Sequence, residues 1–409
     1  MSPRAERLLG GVSPLVAAHY RIAGDLFDPD RNRGGYVNLG TSENHLLWDL
    51  LEPALTGKRP LTPDDTHYHP MFGMAGFRAS TAAFLSRAYD VAVDADDLVV
   101  VGGATAALDT LAYALCSPGE GVVVPTPYYT GLDDDLGGRA GARVVPAPLS
   151  SADGFALRPE VLDEAIRTAT AGGVTVRAIL LISPANPLAR TYDAETIAAA
   201  AQVARRHDLH LVVDEIYAGS VFGGTPFFTA ARLPASVLDP TRVHVVWGFA
   251  KDFGMSGFKV GVLHTRHEGV RAAAGHLAAF GPVSTDTQVL LRTMLDDAAW
   301  VDRLRTENRR RLAAAHHDVT SHLASYGVTT APADAGLYVW VDLRPWLSRP
   351  TFDAERALWL RLLDDARVSI SPGDVFHCAE PGWFRLCYAS DHEAVREGVD
   401  RIGRALHPA

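Results

Sequence analysis

Three features of this 409-residue sequence could do chemistry, and each stands at the end of an apolar run. Lys251 follows Trp247-Gly248-Phe249-Ala250 and so lies in an apolar stretch. Burial disfavours an ammonium ion, and a lysine held partly neutral can condense with a carbonyl group as a Schiff base. Asp214, in Asp214-Glu215-Ile216-Tyr217, closes the run Leu211-Val212-Val213. A carboxylate at the end of a buried strand is costly unless it meets a cation or a donor; a protonated pyridine nitrogen is one such partner. Gly102-Gly103-Ala104-Thr105 follows Leu98-Val99-Val100-Val101 and opens a helical pattern. Two glycines permit a tight turn, and the helix behind them offers free N–H groups and a positive dipole end to an anion, most naturally a phosphate.

Each feature has a plainer reading: a surface lysine, a strand-end aspartate capping a loop, a structural Gly-Gly turn. The glycine turn is no Walker loop, since no Gly-Lys-Ser/Thr follows, and there is no GxGxxG for a dinucleotide. Taken together and in order, phosphate cup, pyridine-facing carboxylate and lysine describe a site for pyridoxal 5′-phosphate (PLP).

The elements that must position these residues form a repeating pattern. Apolar runs at Leu98–Val101, Val122–Val124, Val144-Val145, Ile179–Ile182, Leu211–Val213, Val243–Val246 and Val260–Leu263 alternate with helical stretches such as Phe77–Tyr89, Thr105–Cys116 and Ala194–His207. Short β-branched runs between helices imply a mostly parallel sheet covered on both faces. Ligands of such sheets bind at the carboxyl ends of the strands, where all three features lie. After residue 300 a long charged helix (Asp302–Tyr326), short strands near Tyr338–Trp340 and Trp383–Tyr388, and a final helix predict a smaller α+β domain. The first fifty residues read as an irregular arm laid over something else, with part of it joining the small domain. The expected division is an arm over 1–50, a large domain over 51–295 and a small domain over 296–409.

Lys plus Arg number 38 and Asp plus Glu 48, for a net charge of −10, which argues against nucleic acid. No apolar stretch is long enough to span a membrane, and Met1–Arg7 leads into no secretory segment. Three cysteines, Cys116, Cys378 and Cys387, lack zinc spacing and read as reduced thiols of a cytoplasmic protein.

The order GGAT, PYY, NP, DEIY, lysine and a late arginine resembles fold type I PLP enzymes of the class I/II aminotransferase family over nearly the whole chain. The 1-aminocyclopropane-1-carboxylate (ACC) synthase branch is the nearer likeness. It rests on Asn38–Leu46 (NLGTSENHL), Val124–Tyr129 (VPTPYY), His210–Ala218 (HLVVDEIYA), Asp334–Leu337 (DAGL), Asp342–Pro345 (DLRP), Ser371–Gly373 (SPG) and Glu380–Arg385 (EPGWFR). The resemblance implies a mostly parallel seven-stranded sheet in the large domain, and a homodimer that builds each site from two chains. It implies that Lys251 holds PLP and shuttles the substrate's Cα proton, and that Asp214 pairs with the ring nitrogen. Tyr217 and Asn186 reach the phenolic oxygen, Tyr129 stacks on the ring, and Ala104 and Thr105 donate to the phosphate. Arg385 grips the α-carboxylate as a fork, and Glu43 lies near the substrate.

The chain departs from that pattern at named positions. The family's SxSK reads Gly248-Phe249-Ala250-Lys251, and its GFR reads Gly257-Phe258-Lys259, so Lys259 replaces an arginine at the phosphate. The partner-subunit tyrosine of YHG falls on Met71, NPLG reads Asn186-Pro187-Leu188-Ala189, and SPYF reads Ser13-Pro14-Leu15-Val16. Each lost bond to a charged phosphate weakens cofactor holding by roughly 1.5–3 kcal/mol. Smaller Gly248 and Ala250, with flexible Met71, predict a roomier cavity remodelled for a different substrate or a second reactant; drift in a tolerant cofactor site is the plainer alternative.

The substrate implied is S-adenosylmethionine (SAM), processed through a quinonoid by γ-elimination and γ-replacement or by C–C bond formation, with loss of methylthioadenosine, in specialised metabolism. Plain ACC synthesis and ordinary transamination are the alternatives. No metal is expected. His67-Tyr68-His69 reads as a loop near a subunit contact, Asp133-Asp134-Asp135 as a loop or helix start rather than a Mg²⁺ site, and Arg309-Arg310-Arg311 as a solvated face. Leu304, Leu312, Val319 and Leu323 read as core.

Overall fold

A computed structural model describes residues 1–2, 6, 13–57 and 59–408. The N-terminal stretch Met1–Arg7 falls partly outside them, at residues 3–5 and 7. Strand β1 (Val37–Asn38) belongs to the arm. Seven strands then build one sheet: β2 (Leu98–Val101), β3 (Gly121–Thr126), β4 (Arg143–Pro148), β5 (Val176–Ile182), β6 (His210–Asp214), β7 (Val243–Gly248) and β8 (Gly261–Thr265). Their order is β2-β8-β7-β6-β5-β3-β4, and every pairing is parallel except the two that β8 makes. β2, β3, β7 and β8 are buried at every residue. Helices on both faces explain why these strands are continuous apolar runs rather than alternating ones.

A second, antiparallel sheet has the order β12-β13-β10-β9. Its strands are β9 (Thr329–Thr330), β10 (Tyr338–Asp342), β12 (Ser371–Pro372) and β13 (Trp383–Cys387); β11 (Val368–Ser369) lies just before β12. The 28-residue helix Ala298–Ser325 leads into it, with Leu304, Leu312, Val319 and Leu323 buried and Arg309 and Arg310 exposed.

From residue 13 on, the arm is more ordered than its composition suggests. It carries helices Pro14–Ile22 and Trp48–Thr56, and β1 pairs in parallel with β11. Leu39 then bridges to the small sheet: its N–H donates to Ser369 O (2.8 Å) and its carbonyl accepts from Cys387 N (2.8 Å). This pairing carries residues 40–44 across the ends of the large sheet's strands.

All three cysteines are buried free thiols. Among the described residues no helix is long and apolar enough to cross a membrane, and no cluster of His, Cys, Asp or Glu could hold a metal.

Candidate active site

Lys251 is presented by a turn whose flanks are anchored. Trp247, Phe249 and Phe253 are fully buried with Phe77 and Phe84; the Phe249 and Phe253 rings lie 5.0 Å apart, and Phe84 and Phe253 5.7 Å. The strand ends at Gly248, and the turn that follows breaks the alternation of a strand, so these aromatics plug the core while Lys251, between Phe249 and Phe253, lines a cavity. Asp252 adds a polar anchor, accepting from Gly219 N (2.6 Å) and Ser220 Oγ (2.5 Å) in the loop after Tyr217. Asn44 bonds both Asn308 (2.8 Å) and the Lys251 carbonyl (3.3 Å), tying the arm to the same turn.

A cavity of about 340 Å³ opens there, lined by Gly40–Glu43, Gly103–Thr105, Tyr129, Asn186, Asp214, Tyr217, Lys251, Lys259 and Arg385, among others. Nine positions singled out in the sequence thus converge with Lys251: Glu43, Ala104, Thr105, Tyr129, Asn186, Asp214, Tyr217, Lys259 and Arg385. Met71 does not line the cavity of its own chain. It sits half-buried on the segment whose Phe72 carbonyl accepts from Val100 N (2.8 Å), beside β2.

Lys251 Nζ donates to the Ser42 carbonyl at 2.5 Å, its one hydrogen bond among the described residues. Its ammonium is pushed down to about 8, chiefly by burial and next by the Arg385 charge. Asp214 is buried and accepts only from Ile216 N (3.1 Å) through its side chain; burial pushes its carboxyl up to about 7. Tyr217 Oη shares a hydrogen bond with Ser42 Oγ (3.1 Å) and accepts from Asn186 Nδ2 (3.5 Å). Asn186 Oδ1 accepts from Arg385 Nη1 (3.1 Å), and the Gly40 carbonyl from Arg385 Nη2 (2.8 Å).

Arg385 lies on β13 between β12 and β10, its guanidinium 4.8 Å from the Phe376 ring and 5.3 Å from that of Tyr338. It is buried, no carboxylate among the described residues pairs with it, and its Nε has no partner. A buried guanidinium with donors to spare, opening on a cavity, suits an incoming carboxylate.

The other end of the cavity suits a phosphate. Helix Ala104–Leu115 begins without a side-chain cap, leaving its first N–H groups free. Gly103 stands at φ +102°, where only glycine is unstrained. A Cβ on Gly261 would lie 2.4 Å from the Gly103 carbonyl carbon, so glycine is required where β8 passes beneath this turn. Lys259 Nζ lies 3.6 Å from where a Gly103 Cβ would stand.

Glu43, at the cavity wall, receives a hydrogen bond from His45 (3.2 Å). That bond holds the Glu43 carboxyl below its ordinary range and His45 above its own.

One expectation needs correcting. Gly248 does not line the cavity: a Cβ there would meet Val260 O at 2.8 Å and Ile216 Cδ1 at 3.1 Å, so its missing side chain enlarges nothing. Of the residues before Lys251 read as space-making, only Ala250 faces the cavity. Conversely, Asp135, read from the sequence only as part of a loop or helix start, and Ser256, which no reading singled out, both line it. Asp135 looks like one of three loop aspartates because helix Leu132–Gly137 is too short to show a period; its buried neighbours Leu132 and Leu136 were the usable signal. Ser256 stands two residues after Gly254, in the turn that returns the chain to Lys259, and donates to Ala250 O at 3.0 Å.

The likeness to known proteins agrees with this geometry. Residues 35–402 match the family described as aminotransferase class I and II. A 1-aminocyclopropane-1-carboxylate synthase of Glycine max is 36% identical, with 96% of this chain and 85% of that protein covered. 1-aminocyclopropane-1-carboxylate synthase 2 of Oryza sativa subsp. japonica is 38% identical, covering 92% and 81%. The 1-aminocyclopropane-1-carboxylate synthase-like protein 1 of Arabidopsis thaliana is 33% identical, covering 96% and 83%. Among solved structures, a double mutant of Thermus thermophilus aspartate aminotransferase superposes with TM-score 0.81 at 25% identity, over 99% of both chains. The chain belongs to the class I and II aminotransferase family and is a PLP-dependent, ACC synthase-like enzyme of fold type I.

Proposed function

We propose that the enzyme takes SAM and breaks its Cγ–S bond with loss of methylthioadenosine, serving γ-replacement or C–C bond formation with a second small molecule in specialised metabolism. The observation that carries this reading is the arrangement of three groups around one cavity: the Lys251 amine, the unpaired Arg385 guanidinium and the ionised Glu43.

PLP, when bound, supplies an aldehyde for the substrate amine and a ring that accepts the electron pair of a broken Cα–H bond. The chain would hold it by the N–H groups of Ala104 and Thr105 and by Lys259 at the phosphate, Asp214 at the ring nitrogen, Tyr217 and Asn186 at the phenolic oxygen, and Tyr129 against the ring face. Arg385 binds the α-carboxylate and so fixes which Cα bond points at Lys251. Lys251 Nζ takes the proton from Cα; burial keeps a useful fraction of the amine neutral near pH 8. Glu43 keeps its negative charge, which suits a substrate cationic at sulfur. The site is shared in a homodimer, a reading supported by Tyr68 (94% exposed) on the Met71 segment and by Phe280 (84% exposed) beside the Gly102 turn.

The relatives' names favour a second reading, closure of Cα on Cγ to give ACC. Relatives named as synthases and one named synthase-like have similar identity to this chain, so identity does not choose between the readings. Incubation of the holoenzyme with SAM alone separates them. The proposal expects methylthioadenosine release without matching ACC, stimulated by a nucleophile or electrophile. Rapid, stoichiometric ACC would overturn it, and accumulation of pyridoxamine phosphate absorbance would point to transamination instead.

A further inference from the structure

Asp135 is a buried acid for which neither the fold nor the roles above account. It lies on helix Leu132–Gly137, is 6% exposed, and opens onto the cavity beside Ala104 and Thr105. The Thr105 hydroxyl is within bonding reach of its carboxyl, whereas Oδ2 is buried with no partner. Among the described residues no arginine, lysine or histidine pairs with it.

Its charged surroundings are mostly of its own sign. Asp214 faces it across the cavity, Asp134 precedes it on its helix, and Asp109 on helix Ala104–Leu115 is already paired with Arg139. Tyr129 packs nearby, and Lys259 and Lys251 stand on other walls. Burial, with these like charges behind it, pushes the Asp135 carboxyl up to about 7. A carboxylic acid that keeps its proton is a hydrogen-bond donor, which a carboxylate is not. The two hydroxyls of the family's SxSK are missing here, since position 250 is Ala and position 248 is a Gly packed away from the cavity.

We propose that Asp135 acts as a neutral acid at the phosphate end of the cavity, donating through Oδ2 to the cofactor's phosphate in place of the missing hydroxyls. The proposal rests on the phosphate lying at Gly102–Thr105. As pH rises the acid loses its proton, the donor disappears and a negative charge confronts the phosphate, so affinity falls.

The test titrates apoenzyme with pyridoxamine 5′-phosphate, which cannot condense with lysine, and with pyridoxamine, which lacks the phosphate, following tryptophan fluorescence. Wild type and Asp135→Asn are compared; Lys251 and Asp214 titrate in both, so their contributions largely cancel in the ratio of dissociation constants. From about pH 7.5 to about pH 8.5 the wild-type constant for pyridoxamine 5′-phosphate should rise up to about tenfold relative to the variant. The ratio for pyridoxamine should stay flat. A flat ratio for both ligands would leave Asp135 a purely structural group and overturn the proposal. An equal rise for both would place its effect on the ring, through Asp214, and overturn it too. If wild type binds the phosphorylated ligand no more tightly than pyridoxamine, the phosphate placement itself fails. Should Asp135→Asn not fold, Asp135→Ser, which also keeps a donor, takes its place with the same expected flat profile.

Discussion

Replacing Arg385 by lysine keeps a positive charge and removes the fork, so it isolates what the guanidinium geometry does. Arg385 spends one N–H of Nη2 on Gly40 O (2.8 Å) and one of Nη1 on Asn186 Oδ1 (3.1 Å), which leaves Nε and the remaining hydrogens for a ligand. A carboxylate held by two parallel bonds to Arg loses at least one of them to Lys. One charge-assisted hydrogen bond is worth about 1.5–3 kcal/mol. Converted at 1.36 kcal/mol per factor of ten, that predicts a loss of roughly 10- to 150-fold in kcat/KM for SAM. Asn186 loses a partner as well, and through it Tyr217 loses part of its positioning, so Arg385→Leu should cost more than Arg385→Lys. The assay is methylthioadenosine release, paired with the absorbance change of the bound cofactor as SAM is titrated. Decarboxylated SAM is the control: wild type should discriminate strongly against it, and Arg385→Lys much less. If Arg385→Lys stays within about twofold of wild type for SAM, or both substrates suffer equally, Arg385 does not hold the carboxylate.

Further outcomes follow from the same geometry. Lys251→Ala should abolish the visible absorbance of the holoenzyme and its turnover; persistence of both would point to Lys259 instead. Asp214→Asn should weaken cofactor binding while stabilising the apoprotein in a pH-dependent way. The Asp214 carboxyl, pushed up to about 7, contributes stability that is full in acid and is lost as pH rises through that value. The variant apoprotein should therefore gain in Tm on wild type between about pH 4 and about pH 7 and keep a constant lead above that, and parallel Tm profiles across that window would contradict this. Gly248→Ser, which restores the family's residue, should destabilise by about 1–3 kcal/mol through the clash with Val260 O and Ile216, without tightening cofactor binding. Ala250→Ser, facing open space, should leave stability within about 0.5 kcal/mol of wild type; equal unfolding midpoints for the two serine variants would show that Gly248 has room.

Much of the site was legible because Asp214, Gly102 and Lys251 stand at or just after the ends of buried strands, and buried strands announce themselves as apolar runs. Leu211–Val213 leading into Asp214 and Leu98–Val101 leading into Gly102 are read the same way from sequence and from structure. Strand direction is a different matter. Val260–Leu263 is as apolar as its neighbours, and nothing in its composition says that it alone runs antiparallel. The arm's two-residue strand is too short for any period to show, and its role follows from pairing with β11, 331 residues away (Val37 with Val368), which sequence reading has no means to see. Gly248 misled for a related reason. Whether a missing side chain opens a cavity or relieves a clash depends on which face of the pleat it belongs to, and a one-residue difference reverses the answer. Met71 lies outside its own chain's cavity, so its part in any site depends on a second chain.

The cavity's charges explain why such a site needs its cofactor to be comfortable. Lys251 and Arg385 are both buried, and the Arg385 charge works against protonation of Lys251. Asp214 could offset them, yet its carboxyl is itself pushed towards the neutral form by burial. Burial therefore favours fewer charges than these residues carry in water, shifting Lys251 towards the neutral amine and Asp214 towards the protonated acid. In the proposed placement, a ring with a basic nitrogen would give Asp214 a reason to ionise, an aldehyde would consume the neutral amine, and a substrate carboxylate would complete Arg385. Each partner relieves a desolvation cost that folding left uncompensated, so binding draws on energy already stored in the apoprotein. Because Asp214 and Lys251 relax together, Asp214→Asn should also change the pH at which Lys251 condenses with PLP. Loss of the Asp214 charge removes an attraction for the ammonium form, so the pH midpoint of condensation should fall, as read from the growth of the visible band in stopped-flow mixing. A midpoint unchanged by the variant would mean that the two groups do not sense each other across the cavity.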